Sequence, residues 1–205
     1  MRQLTEEETK TLFAKLAHYT GRSINNLIAP PAGSEETDAK DRPVFRVSGN
    51  RVYYLRLSIA NIATSIPRAN LLSLGTCIGK FTKTGKFRIH ITALDIIAPH
   101  ARYKVWIKSN GEAPFMYGGN VVKAHVGRWS EDIPEHSGVV VFNTSDTPLV
   151  RLLDGIFWDA LLIEYQGFGV TARSTAEIRK LDPTAICLIR QADIGEYLRE
   201  VKIYS

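Results

Sequence analysis

The chain begins with a polar segment whose apolar residues soon settle into helical spacing. Thr5 and Glu8 form a capping-box pair, and Leu12, Phe13, Leu16 and Ala17 follow on one face until Gly21, so a helix is predicted between Thr5 and Gly21. From Pro30 to Pro43 the apolar period disappears, which predicts an acidic polar loop. Val44–Val47 and Val52–Tyr54 flank a Ser48-Gly49-Asn50 turn and read as a β-hairpin. Ser58 to Ile66 reads as a short helix stopped by Pro67. LLSLGTCIGKF and KFRIHITAL, joined by a Thr-Lys-Thr-Gly turn, read as a second hairpin whose strands alternate cations with apolar residues. The IIAPHA segment closes a first domain, 1–98.

From Tyr103 the pattern changes. YKVWIK, VVKAHVGRW, GVVVFNT, GFGVTAR and AICLIRQ are short β-rich segments separated by Gly, Pro and Asp, the spacing of a small barrel. The predicted class is α+β: an N-terminal α/β domain with an antiparallel sheet, then a mostly-β domain over 99–205.

Composition adds the kind of partner. With 205 residues, 44% of them hydrophobic, the chain is long enough for two small domains, each with its own core. Its net charge of +5 favours a polyanion, and the distribution strengthens that reading. Between Lys80 and Lys108 stand seven cations (Lys80, Lys83, Lys86, Arg88, Arg102, Lys104, Lys108) and one acid, Asp95, whereas residues 1–41 carry five cations against seven acids. Phe81, Phe87, Tyr103 and Trp106 interleave with these cations; they are either base-stacking rings or the inward faces of strands. A second, smaller group is Arg173, Arg179 and Lys180, partly offset by Glu177 and Asp182.

Other chemistry finds less support. Gly75-Thr76-Cys77-Ile78-Gly79-Lys80 imitates a phosphate-binding loop, but it has three residues between the glycines and Phe81 where a hydroxyl is needed. Cys77 and Cys187 lie far apart in apolar surroundings and read as inert core thiols. His18, His90, His100, His125 and His136 lack metal-ligand spacing, so no metal or cofactor is expected. Asp95 and Asp193 sit among apolar residues, where a carboxylate caps a turn or pairs with a cation more often than it catalyses. The N-terminus is too polar and acidic for a signal peptide, and no apolar run approaches a membrane span. A reducing compartment is therefore expected, and Asn143-Thr144-Ser145 reads as a chance glycosylation match.

Three stretches carry a resemblance: MRQLTEEETK, then SLGTCIGKFTKTGKFRIHITALDIIAPHARYKVWIK, then STAEIRKLDPTAICLIRQADIGEYL. Together they resemble the Nip-seven family of large-subunit ribosome biogenesis factors over nearly the whole chain. The resemblance implies an N-terminal α/β domain followed by a PUA pseudo-barrel, an RNA-binding module. It implies a non-enzymatic, monomeric factor in nucleus and nucleolus, acting in pre-rRNA processing and 60S assembly. Its expected partners are U-rich single-stranded pre-rRNA, the pre-ribosomal particle and other large-subunit assembly factors, with no membrane. Family RNA binding is attributed to basic residues of the PUA domain, which match Arg173, Arg179 and Lys180 here. Lys80, Lys83, Lys86 and Lys104 form a secondary surface for RNA or protein. The alternatives are an RNA-modifying enzyme (a pseudouridine synthase or methyltransferase), for which the first domain is small and lacks a Gly-rich cofactor loop, and a pure protein-interaction adaptor.

One segment departs from the family pattern. Val150–Gln166 (VRLLDGIFWDALLIEYQ) stands between Leu149 and the GFGV motif; it is 17 residues long, 11 of them apolar, with net charge −2. Apolar runs are unusual in loops because they invite association. All valine codons begin GT and a glutamine codon can end in AG, so the segment has the form of an in-frame translated intron; a partner-binding helix is the alternative. The terminal Val201–Ser205 departs from the family's usual acidic tail as well.

Overall fold

The computed structural model describes residues 1–29, 41–67, 71, 73–130, 132–144 and 165–200. Most of the expected acidic loop, the anomalous run except Tyr165 and Gln166, and the last five residues lie outside them. The chain divides into two compact units, Met1–Arg102 and Tyr103–Ser205.

In the first unit, helix α1 (Glu6–Thr20) starts at the capping box. Thr5 Oγ1 accepts the Glu8 N–H at 3.2 Å, and a Glu8 carboxylate oxygen accepts the Thr5 N–H at 2.9 Å. Leu12, Leu16 and Tyr19 are buried, and Gly21 ends the helix with φ 58°. The Arg2 guanidinium grips Glu8 at 2.6 and 2.5 Å. The hydrogen bond from Arg2 is the main reason the Glu8 carboxyl is pulled down to about 2 from its ordinary 4.5. A depressed carboxylate adds stability above its unfolded pKa and loses it as pH falls. The contribution should therefore be complete above 4.5 and vanish toward about 2. Arg2 is half exposed and Glu8 partly so, and water holds the size of the pair to about 1 kcal/mol or less. Glu8→Gln should accordingly remove a small stability difference between about pH 6 and about pH 3, read by urea unfolding at both.

The first sheet is an antiparallel meander of β1 (Pro43–Ser48), β2 (Arg51–Arg56), β3 (Thr76–Phe81) and β4 (Phe87–Ile89). Pro43, expected to end the acidic loop, instead opens the edge strand, where its missing N–H leaves no ladder bond broken. One sheet face meets α1, with Phe13 edge-on to Phe45 at 5.6 Å. On the other face Tyr53 and Leu55 pack with Ala60 of α2 (Leu57–Thr64), joined by Val44, Leu74 and Cys77.

The second hairpin ends sooner than its apolar run suggests. After Ile89, His90 Nδ1 accepts the Thr92 N–H at 3.5 Å and caps a 3₁₀ turn, Ile91–Ala93, which leads into a short helix, Leu94–Ile97. Ile91, Ala93, Leu94, Ile97 and Ala98 are all buried, and so short a run of mostly apolar residues does not by its period separate strand from helix. Asp95, expected among apolar residues, is exposed in the first turn of that helix.

Among the described residues the second unit has six strands in the order β6-β10-β9-β8-β5-β7. They are β5 (Lys104–Ile107), β6 (Val121–Val122), β7 (Val126–Trp129), β8 (Gly138–Asn143), β9 (Tyr165–Thr171) and β10 (Ile186–Asp193). The β5–β8 pair is parallel and the others are antiparallel. The outermost strands, β6 and β7, are joined only by a 3₁₀ turn, Lys123–His125. Four peptide steps reach about 14 Å, whereas six flat strands would hold their edges about 24 Å apart. The sheet therefore curls into a nearly closed barrel. Its core holds Val105, Ile107, Val139, Val141, Leu188 and Phe115, the last from a helix at Ser109–Met116.

Asp193 is fully buried and paired. Both its oxygens accept from Arg199 Nη2 at 2.8 Å, Arg190 donates to it as well, and Arg190 also reaches Glu196 at 3.0 Å. It locks the end of β10 to the helix Glu196–Glu200.

Candidate nucleic-acid interface

Arg173, Arg179 and Lys180 come together around one short turn. Ser174 caps a helix of a single turn, Thr175–Ile178, by accepting the Glu177 N–H at 3.4 Å. Thr175 and Ile178 point inward, both nearly inaccessible, and the Thr175 hydroxyl oxygen accepts the Ile133 N–H at 3.0 Å. That anchorage leaves Arg173, Glu177, Arg179 and Lys180 facing solvent. Lys123 closes the turn from below, its Nζ donating to the carbonyls of Arg179 at 2.9 Å and Leu181 at 2.5 Å.

The turn is less positive than its cations suggest. Arg173 lies 3.9 Å from Glu177, and Arg179 lies 3.2 Å from Asp132. All four side chains are more than half exposed, so each pair is worth about 0–1 kcal/mol and a phosphate could displace the acid. Lys180 is exposed and has no ion pair among the described residues.

The residues of the secondary surface are divided between the two units. Lys80, Lys83 and Lys86 share the β3–β4 hairpin of the first unit, while Lys104 belongs to β5 of the second, its Nζ 5.4 Å from the Phe142 ring centroid. Of the interleaved aromatics, Phe87 and Tyr103 are buried, and Phe81 packs edge-on to Phe87 at 5.2 Å. Trp106 carries the Arg128 guanidinium 3.9 Å over its ring, which engages a face that a base would need.

Sequence reading missed two cations. In strand register Arg51 faces Lys80, and Lys80 faces Arg88, so three cations stand side by side across β2, β3 and β4. Only the pairing register could have revealed this row. Arg128 was missed as well, and again only its pairing opposite Trp106 exposes it.

The thiols and histidines offer no further site. Cys187 is buried and pushed up to about 11 by desolvation, and burial raises Cys77 too, so neither ionises readily. Among the described residues there is no cluster of three or more His, Cys, Asp or Glu that could hold a metal. The Gly75–Lys80 segment leads into β3 rather than a helix N-terminus.

Two family models match this architecture. The NIP7/UPF0113 pre-PUA domain matches residues 1–91, and the UPF0113 PUA domain matches 103–150 and 162–202. The chain belongs to the NIP7/UPF0113 family. It is 55% identical over 201 residues to the 60S ribosome subunit biogenesis protein NIP7 of Saccharomyces cerevisiae, covering 98% of this chain and 97% of that one. The Schizosaccharomyces pombe nip7 protein of the same description is 54% identical over 98% of this chain and 97% of its own, and the Xenopus tropicalis NIP7 homolog 47% over 97% of each. A PUA-domain crystal structure from Aeropyrum pernix shares the fold, with a TM-score of 0.54 at 13% identity over 96% of this chain and 87% of that chain. The UPF0113 PUA match leaves 151–161 unpaired, inside the run Val150–Gln166. Tyr165 and Gln166, the end of that run, already belong to β9.

Proposed function

We propose that this protein is a non-enzymatic RNA-binding factor for assembly of the large ribosomal subunit, acting on pre-rRNA in the nucleus and nucleolus. The observation that carries the reading is identity above 50%, over nearly the full length of both chains, to yeast proteins named for 60S biogenesis. The two-part division into an α/β domain and a PUA domain, with a boundary near 98–99, is part of it. So is a monomer that binds U-rich single strands and other assembly factors.

Within this reading the turn bearing Arg173, Arg179 and Lys180 is the first RNA contact, and Lys123 is the residue that holds it in shape. The Lys80–Lys86 hairpin and Lys104 are secondary. The run Val150–Gln166 is read as an insertion, supported by the break in the family match at 151–161.

Arg179→Ala/Lys180→Ala tests the contact. The double variant should bind an oligouridine RNA more weakly, with the slope of log affinity against log salt shallower by about one to two units. Its thermal stability should stay within about 1 kcal/mol of wild type, because the lost ion pair is exposed. Unchanged affinity and slope would remove the turn from the RNA site.

A further inference from the structure

We propose that the open end of the N-terminal sheet holds a second stretch of RNA through its sugar-phosphate backbone, by way of the cross-strand row Arg51–Lys80–Arg88. The inference rests on the RNA-binding reading above and adds a site, its residues and its ligand chemistry.

The row is fixed by the ladder. Arg51 pairs with Lys80 and Lys80 with Arg88, and residues directly opposite in an antiparallel sheet present their side chains on the same face. Burial agrees, since Arg88 is exposed between buried Phe87 and Ile89, and Arg51 precedes buried Val52. This is the face that α2 covers further along, at Tyr53 and Leu55. The fields of Arg51 and Lys80 reach the neighbouring Cys77 thiol, where they oppose the rise in pKa that burial causes.

Three like charges abreast are unfavourable in an isolated sheet, because adjacent strands lie only about 4.8 Å apart. Neutral side chains would serve the fold better. Among the described residues none of Arg51, Lys80, Lys83, Lys86 and Arg88 makes an ion pair, and Lys83 and Lys86 add two further cations at the adjoining turn. A row maintained against its own repulsion, with no acid among the described residues to relieve it, suits a ligand that brings regularly repeated negative charge.

The site has the chemistry of backbone binding rather than base reading. Phe81, the aromatic next to Lys80 in sequence, alternates to the opposite side of the strand and packs on Phe87. With cations and no free ring, the row neutralises phosphates and releases their counterions, a sequence-independent contribution. An acidic protein segment is the competing ligand, but nothing apolar is exposed within the row to anchor one.

The test uses the full chain and the variant R51Q/K80Q/R88Q, titrated by fluorescence anisotropy with an oligouridine and with an RNA duplex of unrelated sequence across a salt series. Both RNAs should bind the variant more weakly and by the same factor. The log–log salt slope should fall by about two to three units, so the gap from wild type narrows about 16- to 64-fold between about 50 and about 200 mM salt. The variant should unfold at the same or a slightly higher temperature, since repulsion has been removed. R51K/R88K should keep the wild-type slope.

An unchanged slope in R51Q/K80Q/R88Q, with Arg179→Ala/Lys180→Ala still defective, would overturn the row while leaving the RNA-binding reading intact. A wild-type chain that binds neither RNA would overturn both. Loss of binding to a polyglutamate peptide, with RNA binding unaltered, would assign the row to an acidic protein and overturn it as an RNA site.

Discussion

Asp193→Ala is expected to destabilise the second unit by about 3 kcal/mol. Asp193 is fully buried and answers two guanidiniums, Arg199 at 2.8 Å on both oxygens and Arg190. Removing one member of a buried ion pair costs about 3–5 kcal/mol because the remaining charge is left uncompensated. Here the arginine side chains are 27% and 38% exposed, so water recovers part of that loss and the lower end applies. For a unit of this size the change corresponds to a drop in Tm of about 12–20 °C. Urea unfolding of the full chain should show only the transition of the second unit moving, with RNA affinity at low temperature retained. A loss under about 1 kcal/mol would mean the three charges are not coupled as the geometry indicates.

Gly79→Ala should cost the first unit about 3 kcal/mol, for a steric reason. A Cβ on Gly79 would lie 2.2 Å from the Arg88 carbonyl oxygen and 2.6 Å from Phe87 Cζ. The near atom is backbone of the paired strand, so β4 itself must move, and overpacking of this kind costs about 1–3 kcal/mol or more. Gly85→Ala is the control. Its φ is 75° and its Cβ meets nothing within 4 Å, so only backbone strain of about 1 kcal/mol is expected. Because Arg88 rides on β4, Gly79→Ala should also flatten the salt dependence of RNA binding, whereas Gly85→Ala should not. Equal effects of the two substitutions on stability would contradict the close packing of the hairpin.

Some of this architecture is legible in the sequence because local chemistry decides it. The capping box of α1, the Ser48-Gly49-Asn50 turn and the alternation of Phe87-Arg88-Ile89 each act within a few residues, and each forms where the pattern predicts. The turns at Ile91–His100 are not legible, because a short and mostly apolar run does not by its period separate strand from helix. The helix Ser109–Met116 is hidden by Gly111 and Pro114, two residues of low helix propensity that packing of Phe115 into the barrel overrides. The residues proposed for RNA contact are readable as a cluster of charge, and so is Glu177 beside Arg173, but Asp132 lies far away in sequence and meets Arg179 only in the fold. The row Arg51–Lys80–Arg88 depends on register alone, which composition cannot supply.

The most direct measurement is ultraviolet crosslinking of the full-length protein in cells, followed by sequencing of the attached RNA. Crosslinks concentrated on precursor rRNA of the large subunit, and reduced in Arg179→Ala/Lys180→Ala, are the predicted result. Crosslinks spread over messenger RNA or small-subunit rRNA, or none above background, would contradict it.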